Sequence, residues 1–107
     1  MEKEYKSVEE FYPYYLSEHK NGISRTLHFI GTSLVISLTI ASFIMFDFRL
    51  LLYIPLAGYG FAWVGHFFFE KNKPATFKYP MFSLICDFKM YFDLLMLKIP
   101  FFPEKSE

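Results

Sequence analysis

The chain has a single cysteine, Cys86, among its 107 residues, which excludes an intramolecular disulfide and a cysteine-based zinc site. It has no net charge: 11 Lys and Arg stand against 11 Asp and Glu, so nothing in the overall balance recommends nucleic acid as a partner. Its opening, MEKEYKSVEEFY, lacks an early apolar core, and no signal peptide is expected. The most informative absence is local. Two runs of twenty residues, LHFIGTSLVISLTIASFIMF at 27–46 and LLLYIPLAGYGFAWVGHFFF at 50–69, contain no Asp, Glu, Lys or Arg. What the chain has instead is apolar surface: 53% of it is hydrophobic and 22% aromatic. A soluble domain of this length has too little interior to hide so much.

At about 1.5 Å per residue each run spans roughly 30 Å, the hydrocarbon thickness of a bilayer. Only Asp47, Phe48 and Arg49 separate them, so the two spans form an antiparallel hairpin. Lys20 and Arg25 precede the first span, and Lys71, Lys73 and Lys78 follow the second, while the joint holds Arg49 alone. The positive-inside rule then puts both termini in the cytoplasm, from a bacterial inner membrane or the endoplasmic reticulum. Upstream, Ser7 and Glu10 read as a capping box opening a helix over 8–19, perturbed at Pro13. Its Phe11, Tyr12, Tyr14 and Tyr15 suit the membrane interface. Asn21-Gly22 ends that helix, and Ser24 is the expected cap of the first span. After a loop marked by Pro74 and Pro80, residues 81–98 read as an amphipathic helix, too charged to span well, that lies in the interface or packs on the hairpin. Met45, Met81, Met90, Met96 and Cys86 read as lipid-facing or packing residues, and Asp87 and Asp93 as solvated or paired with lysine. The expected architecture is all-α: one membrane-embedded domain over 1–107, a two-span hairpin with an N-terminal interfacial helix and a C-terminal amphipathic one.

The three histidines, His19, His28 and His66, carry the chemistry. His28 lies just inside the cytoplasmic end of the first span and His66 just inside that of the second. In an antiparallel hairpin both imidazoles therefore sit at one depth, and the break at Asn21-Gly22 lets His19 join them. Polar groups in a bilayer are costly and tend to be functional. Three imidazoles at one level read as a metal site, for iron, zinc, copper or nickel on donor grounds alone. Glu70, four residues after His66, is a ligand, an acceptor orienting His66, or the flank of the span. Ala62 and Tyr59 continue that face toward the membrane centre, and Gly58 and Gly65 offer a flat surface for close helix contact. Arg25 pairs with an acidic headgroup or with a substrate carboxylate. A 2-hydroxy carboxylate could chelate such a metal and leave a position for dioxygen. Two rival readings are a haem-binding electron carrier, with His28 and His66 as axial ligands, and a non-enzymatic membrane adaptor in which the histidines are incidental.

The segments FYPYYLSEHKNGISRTLHFIGTS and AGYGFAWVGHFFFEKNKPATFKYPMFSLICDFKMYFDLL, with SEHKN, RTLHFIGT and GHFFFEKNKPATF as their most specific parts, add a resemblance. The chain resembles, over about 11–95, a small membrane family long catalogued as a domain of unknown function, whose fungal members are iron-dependent 2-hydroxy fatty acid dioxygenases of fatty acid α-oxidation. The resemblance implies Fe(2+) as cofactor, held by His19, His28 and His66. Asn21, Arg25, Glu70 and Pro74 are the neighbouring motif residues. It also implies a 2-hydroxy fatty acid and dioxygen as substrates, with oxidative removal of one carbon.

Overall fold

Ser7 opens the first helix. Its Oγ accepts the backbone N–H of Glu10 at 3.2 Å, while the Glu10 carboxylate reaches back to the N–H of Lys6 at 3.2 Å, one residue beyond the usual capping-box partner. In the computed structural model, which describes residues 4–74 and 78–105, α1 runs Val8–Ser17. It ends short of the expected position 19. Pro13 sits inside it, and the carbonyl that loses its donor, that of Glu9, lies on the exposed side.

Helix α2, Gly22–Ile44, starts five residues earlier than the uncharged run suggests, and its cap is Asn21, not Ser24. Asn21 Oδ1 accepts the N–H groups of Ile23 at 2.9 Å and Ser24 at 3.1 Å. The N–H groups just before them are also taken. Glu70 accepts those of Lys20 and Asn21 at 3.2 and 2.9 Å, and Glu104 that of Gly22 at 3.0 Å. Two carboxylates and an amide thus satisfy the positive end of α2. Gly22 itself permits the tail to dock, because a Cβ there would meet the Phe102 ring at 1.9 Å.

Past Ile44 the chain reverses through Phe46, in the left-handed region at φ 51°, and Asp47, which pairs with Arg49 at 2.8 Å. The return rod over 48–70 is not one plain α-helix. It winds as 3-10 over Phe48–Tyr53, as α-helix α3 over Ile54–Val64, and as π-helix over Gly65–Glu70. Lys71, at φ 58°, stops it. Residues 75–77, in the loop expected after this rod, lie outside the described residues. Helix α4, Pro80–Leu95, then follows, shorter than the expected 81–98. Among the described residues there is no strand.

Two rods, Gly22–Ile44 and Phe48–Glu70, are long and apolar enough to cross a bilayer, and only 17% of each span's most apolar stretch is buried. Their outward surface is large and apolar, with Phe43, Ile44, Leu52, Leu56 and Phe68 all exposed. A core helix of a soluble bundle would be mostly covered, so this surface points to lipid as its solvent. The rods touch through glycine. A Cβ at Gly31 would lie 2.9 Å from the Ala57 carbonyl oxygen, and one at Gly65 2.7 Å from Ser24 Oγ. The described protein core is elsewhere, between α1 and α4: Phe11, Tyr15, Cys86, Met90 and Leu94. Two of the four aromatics expected at the membrane interface, Phe11 and Tyr15, are therefore buried on α4. Tyr12 donates to Asp93 at 2.7 Å, and Tyr15 donates to Asp87. These two bonds fasten the α1–α4 pair over the end of the hairpin where the histidines lie.

Candidate metal centre

Each histidine is placed by a different local device. His19 follows the last turn of α1, where its N–H still reaches the Leu16 carbonyl at 3.0 Å. The Arg25 guanidinium fixes the far side of that link by donating to the His19 carbonyl at 2.6 Å. His28 lies two turns into α2. His66 is the second residue of the π-helical stretch, a winding that recurs at functional sites. The three rings come together edge to face, with centroids 4.5 to 4.9 Å apart, and all three residues are buried. One nitrogen from each lies within 4.8 Å of the others.

The second ring nitrogens decide what the cluster can bind. His19 Nδ1 is 2.6 Å from the Tyr15 carbonyl oxygen, and His28 Nδ1 is 2.8 Å from that of Ser24. His66 Nδ1 is 2.7 Å from Asn72 Oδ1. The amide of Asn72 is oriented by its own Nδ2, which donates to the Glu18 carbonyl at 2.9 Å. All three Nδ1 partners are oxygens that can only accept, so each Nδ1 carries the proton and each Nε2 presents a lone pair. Yet His19 Nε2 and His28 Nε2 stand 3.2 Å apart. Two lone pairs facing at that distance call for a shared cation. Burial, with His28 and His66 beside it, also holds the His19 imidazole well below its ordinary pKa, so this ring stays in the neutral, ligating form. Three neutral imidazoles, each oriented by a hydrogen bond from its far nitrogen, form a donor set that fits a borderline transition-metal ion. Haem fits poorly. In the cavity that His19, His28 and His66 border, the His28 and His66 rings stand edge to face with centroids only 4.9 Å apart, too close for a macrocycle between two axial rings.

Asn72 is the clearest handle on this geometry. Replacing it by alanine leaves all three ligands present but releases the His66 ring. We expect metal affinity to fall about 10- to 100-fold, measured by competition with a chromogenic chelator.

Of the residues singled out from sequence, the structure brings the three histidines together and leaves two others aside. Glu70 is not in the triangle: its carboxylate turns to the N-terminal end of α2 and holds the Lys20 and Asn21 N–H groups. Arg25 is buried, with Nε and Nη1 bonded to the carbonyls of His19 and Pro100, the latter at 2.7 Å, so it clamps the chain and does not line the cavity. Tyr59, Ala62 and Pro74 do line it. Three residues that sequence reasoning passed over or discounted are Asn72, Ser83 and Asp87. Ser83 falls on the buried stripe of α4, with Cys86, Met90 and Leu94, and that spacing is the signal that could have found it.

Asp87 lines the cavity and accepts from Tyr15, and burial pushes its carboxyl up to about 6 from 3.8. Between about pH 4 and 6 the folded chain keeps a proton there that the unfolded chain has released. Stability therefore falls as pH rises through that interval and stays lower above it. In the metal-free protein, Asp87→Asn is expected to be more stable than the parent above pH 6, by about 1–3 kcal/mol, with the gain shrinking as the pH is lowered toward 4. Thermal unfolding in detergent at the two pH values measures it.

The model of a family described as 2-hydroxy-palmitic acid dioxygenase Mpo1-like matches residues 5–99. No curated protein and no solved structure matches the chain.

Proposed function

We propose, from the premise that this chain belongs to the 2-hydroxy-palmitic acid dioxygenase Mpo1-like family, that it is a membrane-bound, Fe(2+)-dependent dioxygenase that shortens 2-hydroxy fatty acids by one carbon. The supporting observation is the convergence of three Nε2 lone pairs, each enforced by an Nδ1–H bonded to oxygen. The overall reaction balances as 2-hydroxy acid plus O₂ giving the acid one carbon shorter, CO₂ and water. Bound to His19, His28 and His66, the iron would supply the redox chemistry that dioxygen needs to react with an organic acid.

The chain's own residues do the rest. The carbonyls of Tyr15 and Ser24 and the amide of Asn72 hold the three Nδ1 protons and keep the rings in one tautomer. Tyr59, Ala62 and Trp63 wall the cavity on the α3 side. An apolar groove of about 360 Å³ adjoins it, lined by Val35, Ile54, Gly58, Leu84 and Phe88 among others. The acyl chain lies there with its carboxyl end toward the histidines, and both termini of the protein are on the cytoplasmic side. The cost of desolvating the carboxyl end is met within the cavity, while the tail stays in an apolar medium.

The experiment is metal content plus oxygen consumption with a long-chain 2-hydroxy acid, on the intact protein and on a variant with all three histidines replaced by alanine. The intact protein is expected to hold iron and consume oxygen, and the variant to do neither. Equal oxygen consumption by both removes the proposal, and a metal-free intact protein favours the adaptor reading.

A further inference from the structure

Ser83 presents a hydroxyl that has no hydrogen-bond partner among the described residues, although it is only 2% exposed. A buried orphan of that kind has given up its hydration without replacement and calls for a ligand or a water. Its side chain lines the histidine cavity. One turn later on the same face of α4, Asp87 lines that cavity too. Its Oδ1 is taken by the Tyr15 hydroxyl, and among the described residues no donor reaches Oδ2. Asp87 and Tyr59 are also the two residues that line both this cavity and the apolar groove. A donor and an acceptor, one turn apart, thus stand where the polar end of a groove-bound chain would arrive.

We infer that Ser83 and Asp87 read the head group of the substrate: the Ser83 hydroxyl donates to the carboxylate, and the Asp87 carboxylate accepts from the 2-hydroxyl. The inference rests on the 2-hydroxy fatty acid reading above. Its chemistry is complementary point by point, since a 2-hydroxy acid carries one acceptor group and one donor on adjacent carbons. An unsubstituted fatty acid carries only the acceptor. It would set its carboxylate near Asp87 with no hydroxyl to satisfy it, so the same aspartate that holds the right acid disfavours the wrong one. Ser83 serves both acids alike, and Asp87 separates them.

That division gives the test. The chain's one tryptophan, Trp63, lines the cavity, so its fluorescence reports occupancy without turnover. Purified full-length protein in detergent is titrated anaerobically with 2-hydroxypalmitate and with palmitate. The parent is expected to prefer the hydroxy acid. Ser83→Ala is expected to weaken both acids by about tenfold and leave their ratio unchanged, the loss of one hydrogen bond to a charged group. Asp87→Ala is expected to reduce the preference by about tenfold or more, and Asp87→Asn, which keeps shape and the Tyr15 contact, to reduce it by less. Retention of the full preference in both Asp87 variants overturns the inference, as does undiminished binding in Ser83→Ala. A parent that binds both acids equally overturns it while leaving the dioxygenase reading standing. A parent that binds neither acid removes that reading as well.

Discussion

Replacing His66 by alanine is expected to strip the purified protein of bound iron and to lower oxygen-dependent turnover by more than about a hundredfold, while both apolar rods still insert. So large an effect has a geometric cause. Each ring contributes one Nε2, and two donors at a buried, neutral site bind a divalent ion far less well than three. Alanine also leaves Asn72 Oδ1 without its donor, so the turn after Lys71 keeps its backbone bonds to the His66 carbonyl but loses its side-chain bond to the rod. Insertion depends on other residues. The span over Phe48–Glu70 keeps its apolar surface whatever stands at 66, and the hairpin is made by the turn at 45–49 and by the glycine contacts. Metal analysis, oxygen uptake and alkaline extraction of membranes separate these outcomes. A His66→Ala protein with full iron and full turnover takes His66 out of the site.

The second large effect is expected at a residue that ligates nothing. Gly65→Val should lower stability by about 1–3 kcal/mol and lower metal affinity with it. At Gly65 a Cβ would fall 2.7 Å from Ser24 Oγ and 3.3 Å from both Ser24 Cα and His28 Cε1. A hydroxyl can swing away, but the backbone carbon and the ring of a ligand cannot. Accommodation therefore means moving α2 from the return rod at the level where His28 and His66 must meet. Ser24 is doubly involved, since its carbonyl orients His28. Gly58 is the control. A Cβ there would meet Val35 Cγ2 at 3.4 Å, ordinary van der Waals contact, so Gly58→Ala should leave metal binding unchanged. Thermal unfolding and metal titration of the two variants test the contrast.

Both effects depend on features that differ in how far the sequence announces them. The meeting of His28 and His66 follows from counting: two uncharged runs of equal length, a three-residue joint, and a histidine just inside the same end of each. His19 joins because Asn21-Gly22 breaks the helix before it, although the break proves to be an Asn21 cap with two carboxylates behind it. Those carboxylates, Glu70 and Glu104, come from 49 and 82 positions away, as measured from Asn21 and Gly22, and no local pattern reveals such partners. Glu70 illustrates the limit. An i, i+4 count places Glu70 on the His66 side of the rod but says nothing of the Lys20 and Asn21 N–H groups that draw its carboxylate away. Asn72 is hidden for a related reason: it reaches His66 only because Lys71 adopts a left-handed conformation, which its side chain does not advertise. Asp87 looks in sequence like a solvated charge beside Lys89. Its burial comes from α1 folding back on α4, a tertiary fact that Tyr15 encodes only together with its partner.

Three neutral imidazoles that share one ion leave a signature in X-ray absorption at the iron edge, recorded on anaerobically iron-loaded protein with stoichiometry determined on the same sample. One iron per chain with a first shell of nitrogen and oxygen scatterers, including the multiple-scattering signature of about three imidazoles, is the expected result. Iron bound without imidazole scattering, or bound to the same extent when His19, His28 and His66 are all alanine, would contradict it.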